Sequence, residues 1–298
     1  MIVNGILIDD TFAEAFSMKA TRLIITADTL QWALNAANAM TGFATSVIAC
    51  GCEAGIGRTL APRDTPDGRP GVTVLLFAMS GTELAKQVLK RAGQCVMTSP
   101  TSALFSGIDG DDKIKMGSAL RFFGDGFQVS KVFGGKRYWR IPVMDGEFLC
   151  EDYAYITRAV GGGNILILGR SRPEALAAAE RAVDAMRQVA GVVMPFPGGI
   201  VRSGSKVGSK YKSLIASTND SYCPTLKGLS TSDLSADVES VMEIVIDGLT
   251  DKAVAAAMGA GIQAICAMGE ASGVTRISAG NYGGKLGQYQ FHLRKVLA

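Results

Sequence analysis

RLIITADTLQWALNAANAM, residues 22–40, decides how the rest of the chain is read. RLIITA has the β-branched, apolar composition of a strand. After the turn, Leu30, Ala33, Leu34, Ala37 and Met40 recur at helical spacing. A second β-rich run, ATSVIA (44–49), is expected to follow as a strand. The same strand–helix–strand pattern returns in VTVLLFA, SGTELAKQVLKRAG and QCVMT (72–98), where Ser80 stands three residues before Glu83 as a helix N-cap. It returns again in NILILG, SRPEALAAAERAVDAMRQVAG and VVMPF (164–196), with Ser171 as cap and Pro173 at an early helical position. The stripe in that helix is Leu176, Ala179, Val183 and Met186. The fourth unit is SVMEIVIDG, TDKAVAAAMGAGIQAICAMG and VTRISAG (240–280), with Val254, Met258, Ile262 and Ile265 on one helix face.

Two such units in each half predict an α+β fold of two ferredoxin-like (split β-α-β) lobes, each an antiparallel sheet with two helices on one face. The expected lobes are residues 1–150, carrying a β-hairpin insert, and residues 151–298. The insert lies within 99–153, and its turn is Phe133-Gly134-Gly135-Lys136. The loop 106–117, containing GIDGDDKIKMG, is expected to be exposed. A doubly wound parallel sheet competes with this arrangement, but its glycine-rich first turn is missing.

Composition narrows the function classes. A chain of 298 residues with 48% hydrophobic and 19% charged residues can build a sizeable core. A net charge of +3 does not point to nucleic acid as the main partner. No apolar run is long enough to suggest a membrane span, and MIVNGILIDD lacks the basic start of a secretory signal, so the expected location is the cytoplasm. Six scattered cysteines read as buried free thiols. Cys50-Gly-Cys52 has no companion pair or histidine to make a zinc site, so no metal is expected. His292 is the single histidine and sits in the alternating run QYQFHL, where it reads as an ordinary strand residue rather than a member of a nucleophilic triad.

Three glycine-rich stretches carry the remaining signal. GGIVRSGSKVGSK (198–210) exchanges the lysine and hydroxyl positions of a phosphate loop, and VGGGN (160–164) precedes a strand rather than a helix, so neither is a nucleotide fingerprint. SAGNYGGKLG (278–287) combines small residues with one lysine. Each stretch reads either as close backbone packing or as part of a binding cleft. Asn164, Lys206, Lys210, Asn281 and Lys285 favour a cleft in which amides and cations receive an extended anionic molecule.

Glu243, inside VMEIVID (241–247), is the remaining candidate. On a strand it shares a face with Val241 and Val245, opposite Met242, Ile244 and Ile246. If that face is solvated, Glu243 is an ordinary surface residue. If it is covered, its pKa rises toward neutrality and suits a general acid or base.

Ten stretches taken together are familiar: NGILIDDTFAEAF (4–16), TGFATSVI (41–48), TPDGRPGV (65–72), AGQCVMTSPT (92–101), FFGDG (122–126), PFPGGIV (195–201), SGSKVGSKY (203–211), STNDSYCPT (217–225), EIVIDGL (243–249) and ISAGNYGGKLGQYQFHL (277–293). Over its whole length the chain resembles the formylmethanofuran–tetrahydromethanopterin formyltransferases, and without the acidity of salt-adapted members it is closer to the bacterial form. The resemblance implies two ferredoxin-like lobes assembled as dimers or tetramers. It implies formyl transfer between the amine of a methanofuran-type carrier and N5 of tetrahydromethanopterin, in the oxidation of formaldehyde to formate. It further implies that both carriers are substrates with no tightly bound cofactor, and that formyl hydrolase complex subunits are partners. Glu243 matches the family's buried cleft glutamate, Arg202, Lys206, Lys210 and Lys285 would neutralise acidic carrier tails, and Asn219 and Asn281 would supply donors. A non-catalytic scaffold in the hydrolase complex is the competing expectation. RNA binding is not expected, because KRYWRIP (136–142) lacks the aromatic pattern of an RNA-binding sheet.

Overall fold

The computed structural model describes residues 1–110 and 112–297. It is a mixed α+β structure in two compact units. The central unit comprises Ser17–Val160 with Gly248–Thr250; the terminal unit comprises Met1–Phe16, Gly161–Asp247 and Asp251–Ala298. The long strands Phe12–Thr26 and Tyr153–Gly169 contribute residues to both.

In the central unit, Lys19–Thr26 pairs antiparallel with strand Gly71–Ala78 on one side and with Ala103–Ser106 on the other. Gly71–Ala78 in turn pairs antiparallel with Glu53–Leu60. Its fully buried sequence, GVTVLLFA, has no polar face because both sides of the strand are covered. Helices Leu30–Thr41 and Gly81–Arg91 supply the rest of this core: Ala33, Ala37, Met40, Leu84 and Val88 pack with Leu23, Ile25, Val72, Val74 and Leu76. Each large aliphatic side chain buried there contributes about 1.5–3 kcal/mol. The expected cap is present, with Ser80 Oγ accepting the Glu83 N–H at 3.2 Å. The hairpin is present as well. Val129–Phe133 and Lys136–Val143 pair antiparallel, and Gly134 and Gly135 both take positive φ, as a two-residue turn matched to strand twist demands. Gly146–Glu151 joins this hairpin to the sheet by running parallel to Ala103–Ser106.

Several local expectations are corrected. ATSVIA is not a strand: Ser46 caps a short helix, Val47–Cys50, by accepting the Ile48 N–H, and the strand is the less apolar EAGIGRTL at Glu53–Leu60. QCVMT is not a strand either. The chain leaves helix Gly81–Arg91 through one wide helical turn, Ala92–Val96, and the strand is Ala103–Ser106. In both places a local side-chain or backbone hydrogen bond continues helical geometry past the point where composition suggests a strand. The supposedly exposed loop 106–117 contains strand Asp112–Lys115, paired with Tyr153–Ile156, and Ile114 and Met116 are buried. Leu30 and Leu176 fall off their expected stripes and are exposed, while alanines fill the buried face.

In the terminal unit, Leu166–Gly169 pairs antiparallel with Val274–Ser278, which runs parallel to Ile6–Ile8. Strand Ser240–Gly248 also pairs with Tyr153–Gly169. Tyr289–His292 pairs antiparallel with Phe12–Ala15, so His292 is a strand residue against Phe12. Helices Arg172–Met186 and Asp251–Met268 cover this unit's sheet, the second with Val254, Met258, Ile262 and Ile265 all buried. No helix among the described residues is long and apolar enough to cross a membrane. Among those residues there is also no group of three His, Cys, Asp or Glu side chains that could hold a metal ion.

Strand and helix approach closely at Gly163, where an added Cβ would lie 2.3 Å from Cγ1 of Val254. A β-branched side chain in a helix has one strongly preferred rotamer and cannot swing aside. Gly163→Ala is therefore expected to destabilise the protein by about 1–3 kcal/mol, read as a lowered urea midpoint with an unchanged m-value.

Candidate functional site

Glu243 sits at the middle of strand Ser240–Gly248. Its backbone is held by two hydrogen bonds to Val201: Glu243 N–H donates to the Val201 carbonyl at 2.9 Å and Val201 N–H donates back at 2.7 Å. Met242, Ile244 and Ile246 face the core, while Val241, Glu243 and Val245 line a half-covered face. Neither extreme of the strand reading holds: the side chain is not freely solvated, yet it keeps a route to water. No hydrogen bond to its carboxyl occurs among the described residues, and burial pushes the Glu243 carboxyl from 4.5 up to about 7.

Tyr282 belongs to the same neighbourhood. Its phenol is pushed up in pKa by burial, then by the charges of Glu243 and Glu14, so it stays a protonated donor. Its ring leans on Phe16, with centroids 6.0 Å apart. Glu14, near the start of strand Phe12–Thr26, is only 1% exposed, and its two oxygens accept four backbone N–H groups from residues 282–287. Burial alone would raise its pKa, but the N–H groups of Gly287, Tyr282, Leu286 and Gly284 together hold it below the usual carboxylate range.

The sequence of SAGNYGGKLG is open to two readings, close backbone packing or part of a cleft whose amides receive an anion. Four of those amides hold the protein's own carboxylate. The residue responsible escaped the sequence reading, although its signal resembles that of Glu243: a carboxylate inside an apolar strand, FAEAF (12–16).

The other sequence-selected residues fall into two groups. Asn164 and Asn281 shape the same loop. Asn164 accepts the Gly280 N–H at 2.6 Å and donates to the Gly280 carbonyl at 3.1 Å. Asn281 donates to Thr11 Oγ1 and the Phe12 carbonyl, and accepts the Gly283 N–H. Lys285 is exposed on that loop, between two residues whose amides bind Glu14.

The VGGGN stretch is close backbone packing. Gly162 has φ +93°, a conformation that suits glycine, and its N–H donates to the buried Asp247 carboxylate at 3.1 Å.

The second group lies on the 201–230 excursion. Arg202 is exposed next to Val201, the residue that bridges Glu243. Lys206 is not a free cation, since it binds Asp220 at 2.5 Å and holds that carboxyl below its ordinary pKa. Lys210 is exposed at a hollow of about 660 Å³ floored by Val207, Tyr211, Leu214 and Leu226. Asn219 is half-buried ahead of the short turn Asp220–Tyr222, where its carbonyl accepts the Tyr222 N–H at 3.0 Å. The site therefore consists of a near-neutral carboxyl and a protonated phenol, with positive charge on a neighbouring excursion. Such a set can move a proton between bound amines and attract acidic ligands.

Comparison with known proteins identifies the family. The model of formylmethanofuran-tetrahydromethanopterin formyltransferase matches residues 1–143, and that of the FTR proximal lobe matches residues 146–296. The chain is 67% identical, over the full length of both, to the formylmethanofuran–tetrahydromethanopterin formyltransferase of Methylococcus capsulatus. It is 54% identical to a subunit of the formyltransferase/hydrolase complex of Methylorubrum extorquens, over 99% of this chain and 97% of that one. The crystal structure of that organism's complex with methylofuran superposes with a TM-score of 0.98, covering 100% of this chain and 99% of the other. The Methanosarcina barkeri enzyme superposes at 0.94 and 47% identity, covering 99% and 100%. With family models spanning both halves and relatives matched end to end, the chain belongs to the formylmethanofuran–tetrahydromethanopterin formyltransferase family.

Proposed function

We propose that this formyltransferase passes a formyl group between N5 of tetrahydromethanopterin and the primary amine of a methanofuran-type carrier, with Glu243 carrying the proton. The single observation behind this reading is a strand-borne carboxyl with no hydrogen-bond partner among the described residues and a pKa of about 7. At neutral pH such a group is present in both protonation states, as a shuttle requires.

The attacking amine forms a bond to the formyl carbon, and the carbonyl electron pair moves onto oxygen. Glu243 takes the proton released by the attacking nitrogen and returns it to the leaving nitrogen as the old C–N bond breaks. The protonated phenol of Tyr282 is a donor for the negative oxygen of the tetrahedral adduct. Direct exchange between two held amines draws its rate from their juxtaposition and needs no covalent nucleophile.

In the same reading, Arg202, Lys206, Lys210 and Lys285 meet the acidic tails of the carriers, Lys206 together with its partner Asp220. Asn164, Asn219 and Asn281 act by shaping the loops that contact them. The lobes of this reading, residues 1–150 and 151–298, are ferredoxin-like; in the first, the sheet order Glu53–Leu60, Gly71–Ala78, Phe12–Thr26, Ala103–Ser106 supports this. The lobe boundary near residue 150 belongs to the same reading. The chain works in the cytoplasm, in formaldehyde oxidation, as a homo-oligomer that associates with formyl hydrolase subunits. Support comes from the likeness to one component of the Methylorubrum extorquens complex and from the exposed Phe122, Phe123 and Phe127 of the insert.

The purified protein should exchange formyl groups between formylated tetrahydromethanopterin and a methanofuran analogue, followed by pterin absorbance. Glu243→Gln should lower kcat by about 10²–10⁴-fold and abolish the limb of the pH profile near 7. Wild-type turnover across pH in that variant would refute the shuttle.

A second readout needs no substrate. Folding raises this carboxyl from 4.5 to about 7, so between those values the native state holds a proton that the unfolded chain has lost. Stability thus falls as pH rises through that window and stays lowered above it. Glu243→Gln removes the dependence and should gain up to about 3 kcal/mol over wild type near pH 8, and little below about pH 4, in paired denaturation curves.

Lys210→Ala should raise KM for the acid-tailed carrier roughly two- to five-fold, the scale of one exposed ion pair, with kcat unchanged. The difference should shrink in high salt.

A further inference from the structure

Glu14 is a buried carboxylate of the terminal unit that accepts four backbone N–H groups and that the proton-transfer scheme does not use. Its Oε1 accepts the N–H groups of Leu286 and Gly287, each at 2.6 Å, and its Oε2 accepts those of Tyr282 at 2.6 Å and Gly284 at 2.9 Å. All four bonds are charge-assisted and converge on one side chain that is 1% exposed.

The loop's composition follows from this convergence. Gly283 and Gly284 take positive φ, and the alternate amides of Tyr282 and Gly284 turn toward one oxygen while that of Gly283 turns to Asn281. At Gly287 a Cβ would lie 2.4 Å from the Ala15 carbonyl and 2.7 Å from Glu14 Cγ, so only glycine lets the loop close on the carboxylate. The loop thus forms an anion nest already filled by the protein itself. Its first amide is that of Tyr282, the residue whose phenol feels the charge of Glu243.

We propose that Glu14 is a positioning residue for the transfer site: its carboxylate straps residues 282–287 in place and so fixes Tyr282 beside Glu243. The proposal rests on the reading of Glu243 as the proton carrier, but the strap itself is measurable without catalysis. Glutamine at this position has one acceptor oxygen and one NH2, so it loses two of the four bonds and sets its own donors against two backbone N–H groups.

The test combines amide hydrogen exchange with kinetics for Glu14→Gln, Tyr282→Phe and the double variant. In Glu14→Gln, exchange at Tyr282, Gly284, Leu286 and Gly287 should quicken. kcat should fall about tenfold or more while KM for both carriers changes less than about threefold, because orientation and not binding is lost. The double variant should be no slower than the slower single variant within about twofold, since Glu14 acts through Tyr282.

A loosened loop with wild-type kcat, or losses that multiply in the double variant, would overturn the proposal. Should Glu14→Gln fail to fold, Glu14→Asp keeps the charge and shortens the reach; it should show intermediate exchange and intermediate kcat, and full kcat with a loosened loop would again overturn it. A Glu243→Gln result that contradicts the shuttle would leave the exchange result standing, so the two failures are distinguishable.

Discussion

A carboxylate removed from water must either gather hydrogen-bond donors or hold a proton, and the terminal unit contains one glutamate of each kind. Glu14 gathers four backbone donors and is held below the ordinary carboxylate pKa. Glu243 gathers none among the described residues and rises to about 7. Both stand in apolar strand sequences, and the difference lies wholly in what the neighbouring loop supplies. The first carboxylate is committed to holding structure. The second keeps the freedom to exchange a proton at neutral pH, which suits formyl transfer between two nitrogens.

This division of labour also explains the glycines. In VGGGN and at the end of SAGNYGGKLG, glycines serve close backbone approach. Gly162 turns its amide to Asp247, Gly163 lets the sheet lie against Val254, and Gly287 lets the terminal loop close around Glu14. Each satisfies a buried acceptor or a tight strand–helix contact, and each leaves little backbone donor capacity for a ligand. On the 201–230 excursion, by contrast, the cations are side chains at the surface: Lys210 stands over an apolar-floored hollow and Lys206 is engaged by Asp220.

Much of the architecture was legible because hydrophobic periodicity and capping are local. Ser80 and Ser171 cap the helices they precede, and the stripe Val254, Met258, Ile262 and Ile265 is fully buried. The hairpin at Gly134-Gly135 forms where two positive-φ residues permit it. Local reasoning failed where composition and hydrogen bonding diverged. ATSVIA and QCVMT look like strands, but Ser46 nucleates a helical turn in the first and the preceding helix runs on into the second. The true strand EAGIGRTL has too many small residues to announce itself and is defined by its partner Gly71–Ala78.

The amino-acid order by itself determined the α+β class, the four long helices with caps at Ser80 and Ser171, the family, and the oddity of a glutamate at position 243. The tertiary structure alone decided which carboxylates are charged. Donors to Glu14 come from residues more than 260 positions away, and the cover over Glu243 depends on elements far from its own strand. A pKa is set by the dielectric and the donors within a few ångströms, and those neighbours exist only once distant segments have been folded together.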